Sequence, residues 1–450
     1  MKKTFLAAAV LLITLSCAKQ NPVISVEGGK IKGVVENGVT VYRGIPFAAA
    51  PVGDLRWQAP QPVVPWDGIK VCDTFGPICP QEEFEEGTFY WREFYWMGSP
   101  EMSEDCLYLN VWAPADARGK NLPVAMWIHG GAYDHGYGYE VTMDGTEWAK
   151  RGVIMVTINY RVGIFGFLSH PELSAAQGGV SGNYGLMDQI KALEWVKDNI
   201  SAFGGDPGNI TILGQSAGAG SVKNLCASPL SKGLIAKAII QSGGGLAPQD
   251  GLSTPAVQVD PDSTGKRIMD QAGLTSIAAM RAASQDELLA ALAEYKKDNR
   301  VRLAPHKDGR VLTQSFDEAV YGNTVADIPY MIGCTTRDMA GMRSNAIDNF
   351  AEVRSSLSDK PVYEYYFQRD LPAEDDDKYP EMDGAFHSAD LWYMFGTLKK
   401  SWRPFTEADT ALSEKMLDAW TGFAKSGNPG WAPSVKGAVY KEVLDITPTR

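Results

Sequence analysis

Histidine is scarce in this chain, with five in 450 residues, so few side chains can carry a proton near neutral pH. The six cysteines form no cluster with those histidines at ligand spacing, which argues against a metal centre. No block of basic residues occurs, and the formal net charge is −12; both argue against nucleic acid or another polyanion as partner. Long apolar runs are missing too. The one candidate, Thr4 to Leu15, is too short to span a bilayer as a helix. Nothing resembles an internal repeat or a long low-complexity linker, so the chain reads as one domain carrying insertions.

The N-terminus reads as a leader. Met1-Lys-Lys3 is basic, an apolar stretch follows, and Thr14-Leu-Ser-Cys17 is similar to a bacterial lipoprotein processing site, with Thr14 in place of the usual leucine. Residues 1–16 are expected to be a lipoprotein-type signal peptide, with Cys17 the lipidated first residue of a single domain over 17–450. The product would be an exported periplasmic or cell-envelope lipoprotein of a bacterium, meeting membrane only through that anchor.

What is present is concentrated around one serine. The β-type run Ile210 to Leu213 leads straight into Gly214-Gln-Ser-Ala-Gly218, and an Ala-rich helical pattern follows. A strand, a sharp turn and a helix with Ser216 at the apex form a nucleophile elbow. The turn strains the serine backbone, so glycine is needed two residues away on each side. A Gly-Ser loop can mimic this pattern, and the surroundings must decide.

They do so in two ways. The buried-strand run Val124 to Ile128 ends in His129-Gly-Gly-Ala132, a turn that lets bare N–H groups approach a substrate. The amides of Gly130 and Gly131, with that of Ala217, can form an oxyanion hole, where each donor typically contributes about 3–4 kcal/mol to a transition state. Histidine supply then selects the base. In an α/β-hydrolase the order is Ser, acid, His, and only His306 and His387 lie downstream of Ser216. His306 precedes a charged turn, Lys307-Asp-Gly-Arg310, whereas His387 follows a core strand and opens the helical pattern Ser388 to Leu398. His387 is therefore the expected general base. Asp338, just past the strand-like run Ile328 to Gly333, is the expected acid. Asp375, Asp376 and Asp377 read as a solvated run, and Asp390 should share a helix with His387 and orient it locally.

At this breadth the chain resembles the type-B carboxylesterases, the cholinesterase-like branch of the α/β-hydrolases, in the manner of bacterial para-nitrobenzyl-esterase-like members. The likeness runs from about Gly33 to Pro433. Its markers are Tyr42-Arg-Gly-Ile-Pro-Phe-Ala48, Glu104-Asp-Cys-Leu-Tyr-Leu-Asn-Val111, His129-Gly-Gly-Ala132, Asn159-Tyr-Arg161, Gly182-Asn-Tyr-Gly-Leu-Met-Asp-Gln189, Phe203-Gly-Gly-Asp-Pro207, the elbow, and Gly384-Ala-Phe-His387. The family pattern also falls on Asp338 and His387. It departs there in having Asp where Glu is commoner, with Met339 in place of the usual glycine.

The resemblance implies more. Arg43 would pair with Glu104 and Arg161 with Asp188 as scaffold ion pairs. Cys79 would bridge Cys106, with Cys72 able to compete, in a chemically permissive oxidising compartment; Cys226 and Cys334 would be buried thiols. The segment from Asp338 to His387 is short beside longer members, which implies a trimmed cap and a more open pocket. The loop between Cys79 and Cys106 would stand near the mouth of the site with Phe84, Phe89, Tyr90, Trp91, Phe94, Tyr95 and Trp96, either as a substrate rim or as loop packing. Trp91 and Trp96, with Tyr133 and His135 past the oxyanion turn, are the pocket candidates.

The expected fold is an α/β-hydrolase with cap insertions. Asn37-Gly38 between Val34-Val35 and Val39–Tyr42 is a hairpin signal, placing antiparallel strands at the N-terminal edge. Later strand runs around Leu107–Trp112, Val124–Ile128, Val153–Ile158, Ile210–Leu213, Ala238–Gln241, Tyr330–Gly333 and Val362–Phe367 mostly alternate with helices such as Gly185 to Ile200. That alternation implies a mostly parallel, doubly wound sheet. The chemistry implied is serine carboxylesterase action on short-acyl or aryl esters, through an acyl-enzyme and without a cofactor. The alternatives are amide, carbamate or thioester hydrolysis on the same triad, or a non-catalytic esterase-like binding protein, against which Ser216, Asp338 and His387 together argue.

Overall fold

The computed structural model of the protein describes residues 22–249, 260–339, 344–373 and 384–446. The leader, Cys17 and the Asp375–Asp377 run lie outside the described residues.

Thirteen strands are present among them: β1 (Val23–Val26), β2 (Gly29–Lys32), β3 (Val34–Glu36), β4 (Val39–Pro46), β5 (Ile69–Val71), β6 (Tyr108–Pro114), β7 (Leu122–Ile128), β8 (Ile154–Ile158), β9 (Gly205–Gln215), β10 (Lys237–Gln241), β11 (Tyr330–Thr335), β12 (Val362–Phe367) and β13 (Lys441–Leu444). Ten form one sheet in the order β13-β12-β11-β10-β9-β7-β8-β6-β4-β3, and β1, β2 and β5 form a small second sheet. From β13 to β8 every neighbour is parallel. From β8 to β3 every neighbour is antiparallel. The Asn37-Gly38 turn joins β3 to β4 with φ of 50° and 79°, the left-handed pair that a tight hairpin requires.

Parallel strands need both faces covered, and side-chain alternation supplies two cores. Along β7, Val124, Met126 and Ile128 join one apolar cluster while Ala125 and Trp127 join the other. The first cluster takes in the helices Tyr184–Asn199 and Ala217–Ala227. The second takes in Trp148 and the long helix Glu407–Ser426, through Leu412, Met416, Trp420 and Phe423. Buried on two sides, these strands read as continuous apolar runs, which is why their positions are plain in the sequence.

Of the two expected ion pairs, one is formed. Arg161 grips Asp188 through Nε and Nη2 at 2.8 and 2.7 Å, both side chains buried. Arg43 instead meets Glu36 of the hairpin at 2.7 Å and lies over the Phe75 ring. Glu104 is taken by Arg56, whose Nε donates to Oε2 at 2.6 Å. Arg56 is the better placed partner because its Nη1 also serves the carbonyls of Met280, Arg281 and Ala283. The expected Cys79–Cys106 bridge is also corrected. Both are buried free thiols, like Cys72, Cys226 and Cys334. The Cys106 thiol is hydrogen-bonded to Cys79, and the Cys79 sulfur accepts the Val162 N–H at 3.4 Å.

Candidate active site

The ends of β7, β9 and β11 converge. Ser216 leaves β9 with φ 57° and ψ −123°, outside the usual regions for an L-residue, and starts the helix Ala217–Ala227. Its N–H is held by the Gln241 carbonyl at 2.9 Å. The flanking glycines are required by close approach. A Cβ on Gly218 would strike the Ile128 carbonyl, and one on Gly214 would strike Gly218 itself. The elbow is thus wedged between its own helix and β7, and the strain at Ser216 is sustained by the sheet around it.

The turn after β7 is strained as well. Gly131 has φ 96°, and Ala132 and Tyr133 follow at 56° and 67°. A Cβ on Gly131 would collide with the His135 carbonyl. Gly130 and Gly131 line the same cavity as Ser216 and His387. Arg302 fixes this turn from outside, its Nε donating to the Ala132 carbonyl at 3.0 Å.

His387 Nδ1 lies 2.5 Å from Asp338 Oδ1, with both side chains buried. Asp338 also accepts N–H groups from Met339 at 2.8 Å and Thr335 at 3.3 Å. Burial alone would push this carboxyl up. The hydrogen bond and charge of His387, with the Ser242 hydroxyl and the Met339 amide, outweigh it and hold Asp338 below the usual aspartate value. The Nε2 edge of His387 meets the Gln215 side-chain amide at 3.1 Å.

The segment around His387 is a turn and not the start of a long helix. Ser388 has φ 79°, Gly396 has φ 69°, and helix is confined to Leu391–Met394. Asp390 still ends close by, fully buried, accepting from Gln241 at 3.2 Å and Tyr365 at 3.3 Å. Burial raises its carboxyl to about 6. His306 is elsewhere, its backbone joined to Asn183.

The cavity over Ser216 has a volume of about 180 Å³. Of the four pocket candidates, His135 lines it, and burial lowers its imidazole to about 4. Tyr133 is turned by its positive φ onto Phe167. Trp91 lines a side cavity of about 100 Å³, and Trp96 is 43% exposed. The rings of the 79–106 loop that do face Ser216 are Phe84, Tyr90, Phe94 and Tyr95. The loop is anchored by Glu93, which takes Trp392 Nε1 at 2.7 Å and Arg403 at 3.0 Å. Phe84 stacks on Tyr95 and meets His135 edge-on. It also lines the side cavity and an outer cleft of about 440 Å³. Glu140 lies in the cavity wall, accepting from Tyr137 N–H, its carboxyl raised by burial to about 7. Sequence reasoning missed Gln215, Glu140 and Arg302. Gln215 stood inside the elbow motif; the other two carry no local signal.

The residues 20–360 and 348–443 match the carboxylesterase family. The chain belongs to that family. It is 34% identical over 463 residues to the para-nitrobenzyl esterase of Bacillus subtilis, covering 90% of each chain. It is 30% identical to carboxylesterase 4A of Bos taurus, over 95% of this chain and 92% of that one. A solved para-nitrobenzyl esterase superposes with a TM-score of 0.82 at 30% identity, covering 94% and 96% of the two chains. The protein is accordingly an α/β-hydrolase and a serine carboxylesterase, acting on carboxylic esters.

Proposed function

We propose that Ser216, His387 and Asp338 carry the esterase reaction by two-step acyl transfer. His387 takes the Ser216 proton as Oγ attacks the ester carbonyl, and Asp338 holds the ring in the Nδ1–H tautomer and balances its charge. The N–H groups of Gly130, Gly131 and Ala217 receive the oxyanion. His387 gives its proton to the leaving alcohol, and water hydrolyses the acyl-enzyme by the same route. The observation that carries this is the 2.5 Å His387–Asp338 contact beside Ser216 in one cavity.

The preferred substrates on this reading are short-acyl or aryl esters, because about 180 Å³ walled by Phe84, Tyr90, Phe94 and Tyr95 suits a small or flat apolar group. The test is a p-nitrophenyl ester series, acetyl to octanoyl, on the mature protein and Ser216→Ala. Turnover that needs Ser216 and falls with chain length supports it; none, from folded protein, would point to a non-catalytic binding role or a narrow substrate.

The localisation proposed is the cell envelope, by lipidation of Cys17 after removal of residues 1–16. Processing in cells should be blocked by globomycin, and a protein that matured normally in its presence would rule the anchor out.

A further inference from the structure

Gln215 is the last residue of β9 and the immediate neighbour of Ser216. It is buried, lines the cavity over the serine, and brings its side-chain Nε2 to within 3.1 Å of His387 Nε2. On the other edge of the ring, Nδ1 faces the Asp338 carboxylate at 2.5 Å. A carboxylate only accepts, so Nδ1 carries the hydrogen, and in the neutral ring Nε2 is left with a lone pair and no proton. The amide therefore donates to the very lone pair that the reaction needs.

We propose that Gln215 is a positioning residue for the base: its amide clamps His387 at Nε2 in the free enzyme and releases it when Ser216 is deprotonated. Two donors compete for one lone pair, the Gln215 N–H and the Ser216 O–H. When the serine oxygen bonds to the ester carbon, its proton moves to Nε2, and Gln215 keeps both amide hydrogens. Nε2–H then has nothing left to accept with, so the amide must rotate away in each turnover. The clamp holds the imidazole edge toward the cavity between reactions, and it favours the unprotonated ring, since only that form accepts. This inference rests on the proposed roles of Ser216 and His387.

Among the described residues, the titratable groups facing His387 are Asp338 from the end of β11, Asp390 on its own segment, and Glu140, His135 and Tyr95 across the cavity, with Tyr90 and Tyr365 close to the two aspartates. Substitution at 215 leaves all of them in place.

The experiment is the pH dependence of kcat/KM for p-nitrophenyl acetate, paired with that of covalent labelling by a p-nitrophenyl phosphonate, which needs the same proton transfer. Gln215→Met keeps the bulk and loses the donor. Its acid limb should move up by about half to one pH unit, the size of one lost neutral hydrogen bond. Gln215→Glu places a carboxylate at Nε2, favours the protonated ring, and should move the limb further, by more than about one unit. Being isosteric, it also carries the test should the methionine variant fold poorly. Folded variants whose limbs stay where the wild-type limb lies would overturn the clamp. Ser216→Ala separates the two readings. If it is inert while the limbs do not move, only the clamp fails; if it still hydrolyses the ester, the proposed nucleophile fails.

Discussion

Arg302 donates from Nε to the Ala132 carbonyl oxygen at 3.0 Å, with its guanidinium 5.6 Å from the centroid of the Tyr133 ring. One exposed arginine, in the chain that follows the helix Gln285–Asp298, thereby steadies two residues at positive φ in the turn after β7. Lys296 of that helix adds a second tie, 3.3 Å from Asp134. Arg302→Ala should lower kcat on the order of tenfold, the cost of about one charged hydrogen bond, while the thermal midpoint stays close to wild type. Equal falls in activity and midpoint would place Arg302 in the scaffold instead.

Asp338→Asn leaves the shape of the site and removes the acceptor that fixes the Nδ1–H tautomer. kcat should drop by roughly 10³–10⁴, with folding unaffected, as stopped-time assays and circular dichroism would reveal. A loss below about tenfold would move the acid's role to Asp390, the other buried carboxylate beside His387.

Arg161→Ala strands the Asp188 carboxylate in the core. Breaking one side of such a buried pair typically costs about 3–5 kcal/mol. Urea denaturation should show a loss of that size, with normal kcat in the fraction that folds. Unchanged stability with abolished turnover would contradict the scaffold role.

Three buried acids are raised by burial: Glu140 to about 7, Asp390 to about 6 and Glu364 to about 8. Each then binds its proton more tightly folded than unfolded. Their stabilisation is complete below the unfolded value, 4.5 for Glu140, and is lost as pH rises through the folded value, about 7. Asp338 and Asp409 are lowered, so their stabilisation is lost only as pH falls below 4, outside this window. His129 and His135, lowered by burial to about 3 and about 4, act in the opposite sense up to their ordinary value of 6.5, so urea midpoints should decline from about pH 6.5 to 8. Glu140→Gln should change the slope between pH 4.5 and 7 relative to wild type, by about 3 kcal/mol at most by the linkage constant. An identical slope in the variant would remove Glu140 from the effect.

Phe84 lines the cavity over Ser216, the outer cleft and the side cavity alike. Phe84→Ala should join them and raise the octanoyl-to-acetyl rate ratio, on the order of tenfold for a few extra buried methylenes. Trp91→Ala, one cavity away, should lower all esters alike. The reverse pattern would put Trp91 in the substrate's path.

Much of this was legible in the chain because it is dictated locally. Gly214 and Gly218 are demanded by a clash with β7, and the strand runs are apolar on both faces, so motif and pattern suffice. Five histidines with one order of appearance narrow the base to His387 without any structure. What was not legible depends on tertiary choice. For Glu104 the resemblance implied Arg43 alone, and the carbonyls of Met280 to Ala283, far along the chain, decided for Arg56. The aromatic loop offered seven rings, and which face the serine was set by Glu93 meeting Arg403, over three hundred residues later. Ser388 and Gly396 interrupt a stretch whose apolar spacing alone suggested a continuous helix.

The order of the strands also sets a timetable. Gly130, Ser216, Asp338 and His387 are spread along the chain, and the last two are held by the ends of β11 and of the turn beyond β12. Parallel partners cannot pair until the helix between them has been made and folded back. No early fragment can contain the whole site, however well its own strands associate. Esterase activity should therefore be the final property regained on refolding, arriving with the pairing of β11 and β12. An unfolded or half-folded chain is on this account an inert polymer, and its hydrolytic power begins only once folding is finished.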